Sequence, residues 1–200
     1  MPFASMINGK LFIISGPAGV GKSTVCKNLL ALTSDKILKR VITVTTRKPR
    51  PNEVHAEDYQ FVSEQYFENC IRENLLLEYA TVYGKARYGT PKEFVIQSLL
   101  KGIHLLLVID VQGMVGVKEN IPPELLPNVI TVFILPESID TVIGRLEHRN
   151  SEFGDELEQR IMSAKNEITI AKEYDYNLIS GSEFEDLLSL KKIYEIETCA

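Results

Sequence analysis

The sequence predicts an α/β fold in which a mostly parallel sheet of about five strands is flanked by helices. Two observations carry this. Short β-branched or aliphatic runs that end in turn residues alternate with longer stretches whose apolar residues recur at helical spacing. Several of those runs are apolar on both faces, as strands lying between helix layers are. The first expected strand, Lys10–Ser15, stops at Gly16, and a helix over Lys22–Leu32 follows, with Val25, Leu29 and Leu30 on one side. The β-branched run Arg40–Val44 is the second strand. Helices are then expected over Ser63–Glu73, opened by Ser, and over Lys92–Lys101, opened by Pro91. The strand Ile103–Ile109 ends in Asp110, and the strand Val129–Leu135 ends in Pro136. A helix over Ser138–Arg149 and another over Glu156–Tyr174 precede a last strand, Tyr176–Ile179, and a last helix, Glu183–Glu195. Two segments interrupt the alternation. Thr45–Pro91 is rich in Arg, Tyr, Glu and Gly, lacks a buried parallel strand and reads as an inserted lobe. The polar run Asn150–Asp155 reads as a flap between helices.

Composition bounds the functions. The chain has 200 residues, 44% hydrophobic and 24% charged, which suits one globular domain and excludes disordered and collagen-like classes. Its 22 Lys and Arg against 27 Asp and Glu leave a formal charge of −5, which argues against a broad nucleic-acid or anionic-membrane surface. Leu11–Ile14, the longest early apolar run, is too short for a signal-peptide core, and no stretch approaches the twenty apolar residues of a membrane span. A cytoplasmic protein is expected. Cys26, Cys70 and Cys199 are widely spaced and read as reduced thiols. His55, His104 and His148 stand singly, so neither metal cage nor acid/base dyad is expected.

Gly16-Pro-Ala-Gly-Val-Gly-Lys22-Ser23 fits GxxxxGK[ST] and joins an apolar strand directly to a helix, the context in which that motif cradles phosphate. Glycines at 16, 19 and 21 permit positive φ and close approach, so successive N–H groups can wrap an anion at the helix N-terminus. Lys22 adds a full charge for the β and γ phosphates, and the Ser23 hydroxyl is placed to ligate Mg²⁺. The ATP site is therefore expected to comprise Gly16, Pro17, Ala18, Gly19, Val20, Gly21, Lys22, Ser23 and Thr24.

A second cationic concentration lies in Lys36–Arg50, which holds six basic residues in fifteen and no acidic one. Arg47 and Arg50 flank a Pro-containing turn, and Thr43, Thr45 and Thr46 add hydroxyls. Arginine forks grip phosphate at two points, and Tyr59 offers a phenol.

With these residues in view, the chain resembles the guanylate kinase family over nearly its whole length. The resemblance rests on Thr43-Val-Thr-Thr-Arg47-Lys-Pro-Arg50-Pro-Asn-Glu53 together with Asp58-Tyr59-Gln-Phe61-Val62. It implies one guanylate kinase-like domain over 1–200, with a GMP-binding lobe near 45–91 and a lid near 149–160 on a P-loop core. It implies that Arg47, Arg50 and Tyr59, with Thr43 in place of the family's frequent serine, hold the GMP phosphate. Glu78, and ten residues on Tyr88-Gly89-Thr90, are similar to the family's base-recognition pair. A carboxylate accepting from guanine N1–H and N2–H₂ and a hydroxyl donating to O6 complement guanine and mismatch adenine, at about 1–3 kcal/mol for each unpaired buried group. Asp110 closes a strand as the family's acidic strand end does. It stands as a guanine contact, a support for Mg²⁺ through water, or a helix N-cap.

The lid arginines of the family resemble Arg145, Arg149 and Arg160. Arg149 and Arg160 are expected to join Lys22 and Arg47 in catalysis, whereas Arg145 reads as a surface pair. The implied reaction is ATP + GMP giving ADP + GDP, with dGMP as a further acceptor, Mg²⁺ as cofactor, and a monomer or homodimer as the assembly. Four departures from the family pattern stand out: Val108 for a second aspartate, Asn150 for a glycine, a longer Gly84–Tyr88 stretch, and Ser180-Gly-Ser182 for an Asn-Asp turn. Two rivals are a sugar-phosphate kinase on the same framework, opposed by Glu78 with Thr90, and a non-catalytic binding module, opposed by the intact phosphate loop.

Overall fold

The computed structural model describes residues 9–33, 37–82, 86–138, 140, 141, 143, 144 and 155–198, excepting the side chains of 155–160, 164 and 165. Its central feature is a parallel five-stranded sheet in the order β2-β7-β1-β8-β9, built from β1 (Leu11–Ser15), β2 (Leu38–Arg40), β7 (His104–Val108), β8 (Val129–Leu135) and β9 (Tyr176–Ile179). Every residue of β1 is buried, and so are the first four of β7 and the first six of β8. Two-sided burial is the reason these strands read as continuous apolar runs. Flanking them are α1 (Lys22–Leu32), α3 (Lys92–Leu100), α4 (Val111–Asn120), α5 (Asp155–Ile170) and α6 (Glu183–Thr198). In α1 the buried face is Val25, Cys26 and Leu29, at helical spacing, and the Thr33 hydroxyl closes the last turn on the Leu29 carbonyl at 2.9 Å. No described helix is long and apolar enough to cross a membrane.

The inserted segment holds a second sheet, ordered β4-β3-β6-β5, made of β3 (Val44–Thr45), β4 (Gln60–Phe61), β5 (Leu76–Val82) and β6 (Ala86–Pro91). β3 pairs parallel with β4 and antiparallel with β6, which pairs antiparallel with β5. Beneath it lies α2 (Glu64–Arg72), whose N-cap Ser63 accepts from the Tyr66 amide at 3.2 Å, and whose Phe67 and Cys70 pack with Val44 and Leu76 in a small core.

Several expectations are corrected. The run expected as one strand, Arg40–Val44, is split: Val41 donates to Leu106 in the central sheet, whereas the Thr43 carbonyl accepts from Gln60 in the second. The chain changes sheets there, which a β-branched run conceals. The segment expected to lack a buried parallel strand holds β3, whose two residues are buried and pair parallel with β4. Its bulk lies in the antiparallel β5 and β6, which had been missed, as had α4. The helix expected to run to Tyr174 ends at Ile170 and passes into a 3₁₀ turn, Ala171–Glu173. The helix expected over Ser138–Arg149 lies largely outside the described residues; within it 140, 141, 143 and 144 are helical, and Ser138 Oγ accepts from the Thr141 amide at 3.2 Å.

Among the described residues the chain divides into two compact units. One draws on the described residues within 9–12, 37–107 and 115–130, the other on those within 13–33, 108–114 and 131–198.

Candidate active site

In the second unit, the turn from β1 to α1 has the backbone an anion cradle needs. Gly16, Gly19 and Gly21 take φ values of 143°, 85° and 108°. At Gly16 space is short as well, since a Cβ there would lie 2.4 Å from the Ile134 carbonyl oxygen. Gly21 is the N-cap of α1 and, having no side chain, offers no cap of its own to the first turn, whose N-terminus suits an anion. Lys22 Nζ donates to the carbonyls of Gly16 and Pro17 at 2.6 and 2.9 Å, so its charge lies over the loop. Ser23 and Thr24 are exposed on the same turn. On α5, Glu167 accepts from Ser163 Oγ at 2.9 Å; burial raises its carboxyl above the ordinary value, against the pull of Lys22. Asp110 caps α4, its Oδ1 accepting from the Gly113 amide at 2.8 Å. The N-cap alternative for Asp110 is thus met, without spending its second oxygen.

A cavity of about 240 Å³ adjoins the loop, lined by Gly19, Val20, Gly21, Thr24 and Val25 and by Gly181, Glu183 and Asp186. Asp186 on α6, buried, accepts from the Gly181 amide at 2.8 Å and lies 3.0 Å from Ser180 Oγ, which is also 3.3 Å from the Val20 carbonyl. The turn after β9 is thereby stitched to the phosphate loop. Sequence reasoning missed Asp186, which looks like an ordinary first-turn acid of α6.

In the first unit the structure brings the second set of cations together around Arg47. Its Nε donates to Tyr88 Oη at 3.0 Å, Nη1 to the Lys48 carbonyl at 2.8 Å, and Nη2 to Glu53 Oε1 at 2.8 Å. Its guanidinium carbon lies 5.5 Å from the Tyr59 ring centroid and 5.7 Å from that of Phe61. Glu53 also accepts from the Arg50 amide at 2.8 Å and lies 3.8 Å from the half-exposed Arg50 guanidinium. Burial works against the charged Arg47, but the bonds to Glu53 and Tyr88 outweigh it and hold its pKa above the ordinary value. Burial also works against the Glu53 carboxylate; the hydrogen bonds from Arg47 and the Arg50 amide overcome it and hold Glu53 below the ordinary range. Burial, then the neighbouring Tyr88 phenol, raise Tyr59, whose ring meets that of Tyr88 edge-on at 5.8 Å. Glu53, quoted only as part of a motif, is therefore the residue that joins the two arginines.

The second sheet sets the remaining pair. Glu78 on β5 is directly opposite Thr90 on β6, and Thr90 Oγ1 donates to Glu78 Oε1 at 2.5 Å, both side chains buried. The ladder shifts register between Leu76 and Glu78, so that Leu76, Leu77 and Glu78 are all buried where plain alternation would expose one. Tyr88 lies two residues before Thr90 and so on the same face of β6, which is how one strand supplies both the phenol at Arg47 and the hydroxyl at Glu78. Arg87, on the other face, is taken by Glu64 and Glu68 and stacks 4.7 Å from the Phe67 ring. Thr43 is buried just before β3.

Arg145 and Arg149 lie outside the described residues, as does the flap before Asp155, and Arg160 is on α5 with its side chain outside them. The lid therefore rests on its sequence.

A family model described as guanylate kinase matches residues 8–196. The chain belongs to the guanylate kinase family. It is 43% identical over 188 residues to the guanylate kinase of Rickettsia prowazekii (strain Madrid E), covering 94% of this chain and 90% of that one. To the guanylate kinase of Caldanaerobacter subterraneus subsp. tengcongensis it is 39% identical over 191 residues, covering 96% and 89%. The crystal structure of guanylate kinase from Anaplasma phagocytophilum superposes with a TM-score of 0.76 at 28% identity, covering 96% of this chain and 87% of that one.

Proposed function

We propose that the two sites divide the labour of one phosphoryl transfer, the glycine loop taking the phosphates of ATP and the Arg47 cluster taking the phosphate of the acceptor. As a guanylate kinase, the chain is an ATP:GMP phosphotransferase that yields ADP and GDP. The reading of the residues is supported most by the buried Glu78–Thr90 pair at 2.5 Å, a carboxylate and a hydroxyl on paired strands, of which β6 also carries the Tyr88 that bonds Arg47. Glu78 accepts from guanine N1–H and N2–H₂. Thr90 orients that carboxylate, and rotation about its Cβ–Oγ bond turns the same hydrogen toward O6. Arg47 has five N–H donors, of which Tyr88, Lys48 and Glu53 take three, and the rest serve the acceptor phosphate with Arg50, Tyr59 and Thr43.

An oxygen of that phosphate attacks the γ phosphorus, and the bond from γ phosphorus to the β-γ bridging oxygen breaks, leaving ADP. The attacking oxygen is already largely ionised near neutral pH, so no general base is required. Lys22, with Arg149 and Arg160 from the lid, neutralises charge that spreads over the transferring group. The cavity beside Gly19–Val25 and Gly181 accommodates the donor's nucleoside. The Ser23 hydroxyl, exposed on the loop, would hold Mg²⁺, with the Asp110 carboxylate supporting it through water. When bound, the ion neutralises charge on the β and γ phosphates. The proposal includes dGMP as a second acceptor and a cytoplasmic monomer or homodimer as the working form.

A coupled ADP-release assay under Mg·ATP with GMP, dGMP, AMP and a sugar phosphate tests this reading. Turnover with GMP and dGMP is expected, with AMP disfavoured at least roughly 100-fold by two mismatched polar groups. An inert GMP beside an active sugar phosphate overturns it.

A further inference from the structure

Helix α4 carries Gly116 in its interior, where glycine is the least favourable residue apart from proline. Its backbone is ordinary helix, and it is absent from the described glycines with positive φ, so conformational freedom is not what the position requires. Space is. A Cβ at 116 would lie 2.9 Å from the Cβ of Glu78 and 3.8 Å from its Cγ. The atom it would meet is no flexible tip. Glu78 is held at its root by the β5–β6 ladder and at its end by Thr90 Oγ1, so a methyl group at 116 must move the strand, the helix or the carboxylate.

We infer that Gly116 is a positioning residue for base selection: its missing side chain sets how closely α4 approaches β5, and thereby where the Glu78 carboxylate stands. The inference rests on the reading of Glu78 as the guanine-accepting carboxylate. Gly116 touches no substrate in this scheme. It acts through Glu78, and the acceptor base is the quantity it governs.

The test measures KM and kcat of Gly116→Ala for GMP and for IMP, whose base keeps N1–H and O6 but lacks the 2-amino group, with thermal midpoints alongside. The expected result is a KM for GMP raised roughly 10-fold, kcat at saturation and KM for ATP near those of the parent, and a reduced preference for GMP over IMP. Unchanged constants with an unchanged or raised midpoint, the outcome that helix propensity alone predicts, overturn it. Glu78→Gln run in parallel separates two failures. If that variant keeps the GMP-over-IMP preference, the reading of Glu78 fails; if it loses the preference and Gly116→Ala does not, the inference about Gly116 fails alone. Should Gly116→Ala be too unstable for kinetics, Glu78→Gly combined with Gly116→Ala moves one Cβ from strand to helix. A midpoint above the sum of the single losses supports the close approach, and additive losses overturn it.

Discussion

Glu53 shows how one side chain can organise a site that its neighbours occupy. It bonds to the Arg47 guanidinium and the Arg50 amide and holds the turn between them in one conformation. Its pKa in the folded chain is depressed because those bonds outweigh burial. A carboxylate of this kind stabilises the fold fully above its ordinary value of 4.5 and loses that contribution as pH falls through its lower native value. Glu53→Gln cannot titrate. The midpoint difference between the parent chain and this variant is therefore expected to be largest near neutrality and to shrink below about pH 4.5, as read by thermal melts across the acid range. A difference that stays constant with pH would show that the carboxylate charge contributes nothing. Arg47 and Arg50 were legible as a pair from their spacing, and Tyr59 joined them through the family resemblance, whereas the role of Glu53 was not legible, because a glutamate near two arginines in sequence has no fixed direction until the turn is folded.

At the scale of the element, the phosphate loop separates two reasons for glycine. Gly16 has φ of 143° and a backbone oxygen 2.4 Å from where its Cβ would be, whereas Gly21 has φ of 108° and nothing within 4 Å. Gly21→Ala should cost only the strain of a left-handed backbone, about 1–2 kcal/mol, and Gly16→Ala that strain plus a clash with immovable backbone, more than about 3 kcal/mol. Urea unfolding of the two variants checks the order, and equal losses would refute it. The strands β5 and β6 hold a comparable lesson. Leu76–Val82 and Ala86–Pro91 join apolar, polar and aromatic residues without a clean period, because the register shift at Leu76/Glu78 interrupts alternation and the strands serve a small lobe. Pattern reading has no signal for a bulge.

At the scale of the whole molecule, a chain of formal charge −5 gathers six cations within Lys36–Arg50 and sets one more, Lys22, over the glycine loop. If these sites bind separate ligands, each nucleotide stabilises the fold independently, by about 2.7 kcal/mol at 100 times its dissociation constant. GMP and ATP should each raise the thermal midpoint alone. Arg47→Ala should abolish the shift with GMP and keep the shift with ATP; loss of both would mean that the sites are not separate.

The strands β1, β7 and β8, the helix α1 and the phosphate loop could be read from the chain, because two-sided burial and a turn needing positive φ at Gly16, Gly19 and Gly21 leave marks on composition itself. The crossing between sheets at Val41–Thr43, the face that Glu78 presents to Thr90, the tie from Asp186 to the phosphate loop and the approach of Gly116 to Glu78 could not. Each of these depends on distances between residues far apart in the chain, and only packing brings them into being.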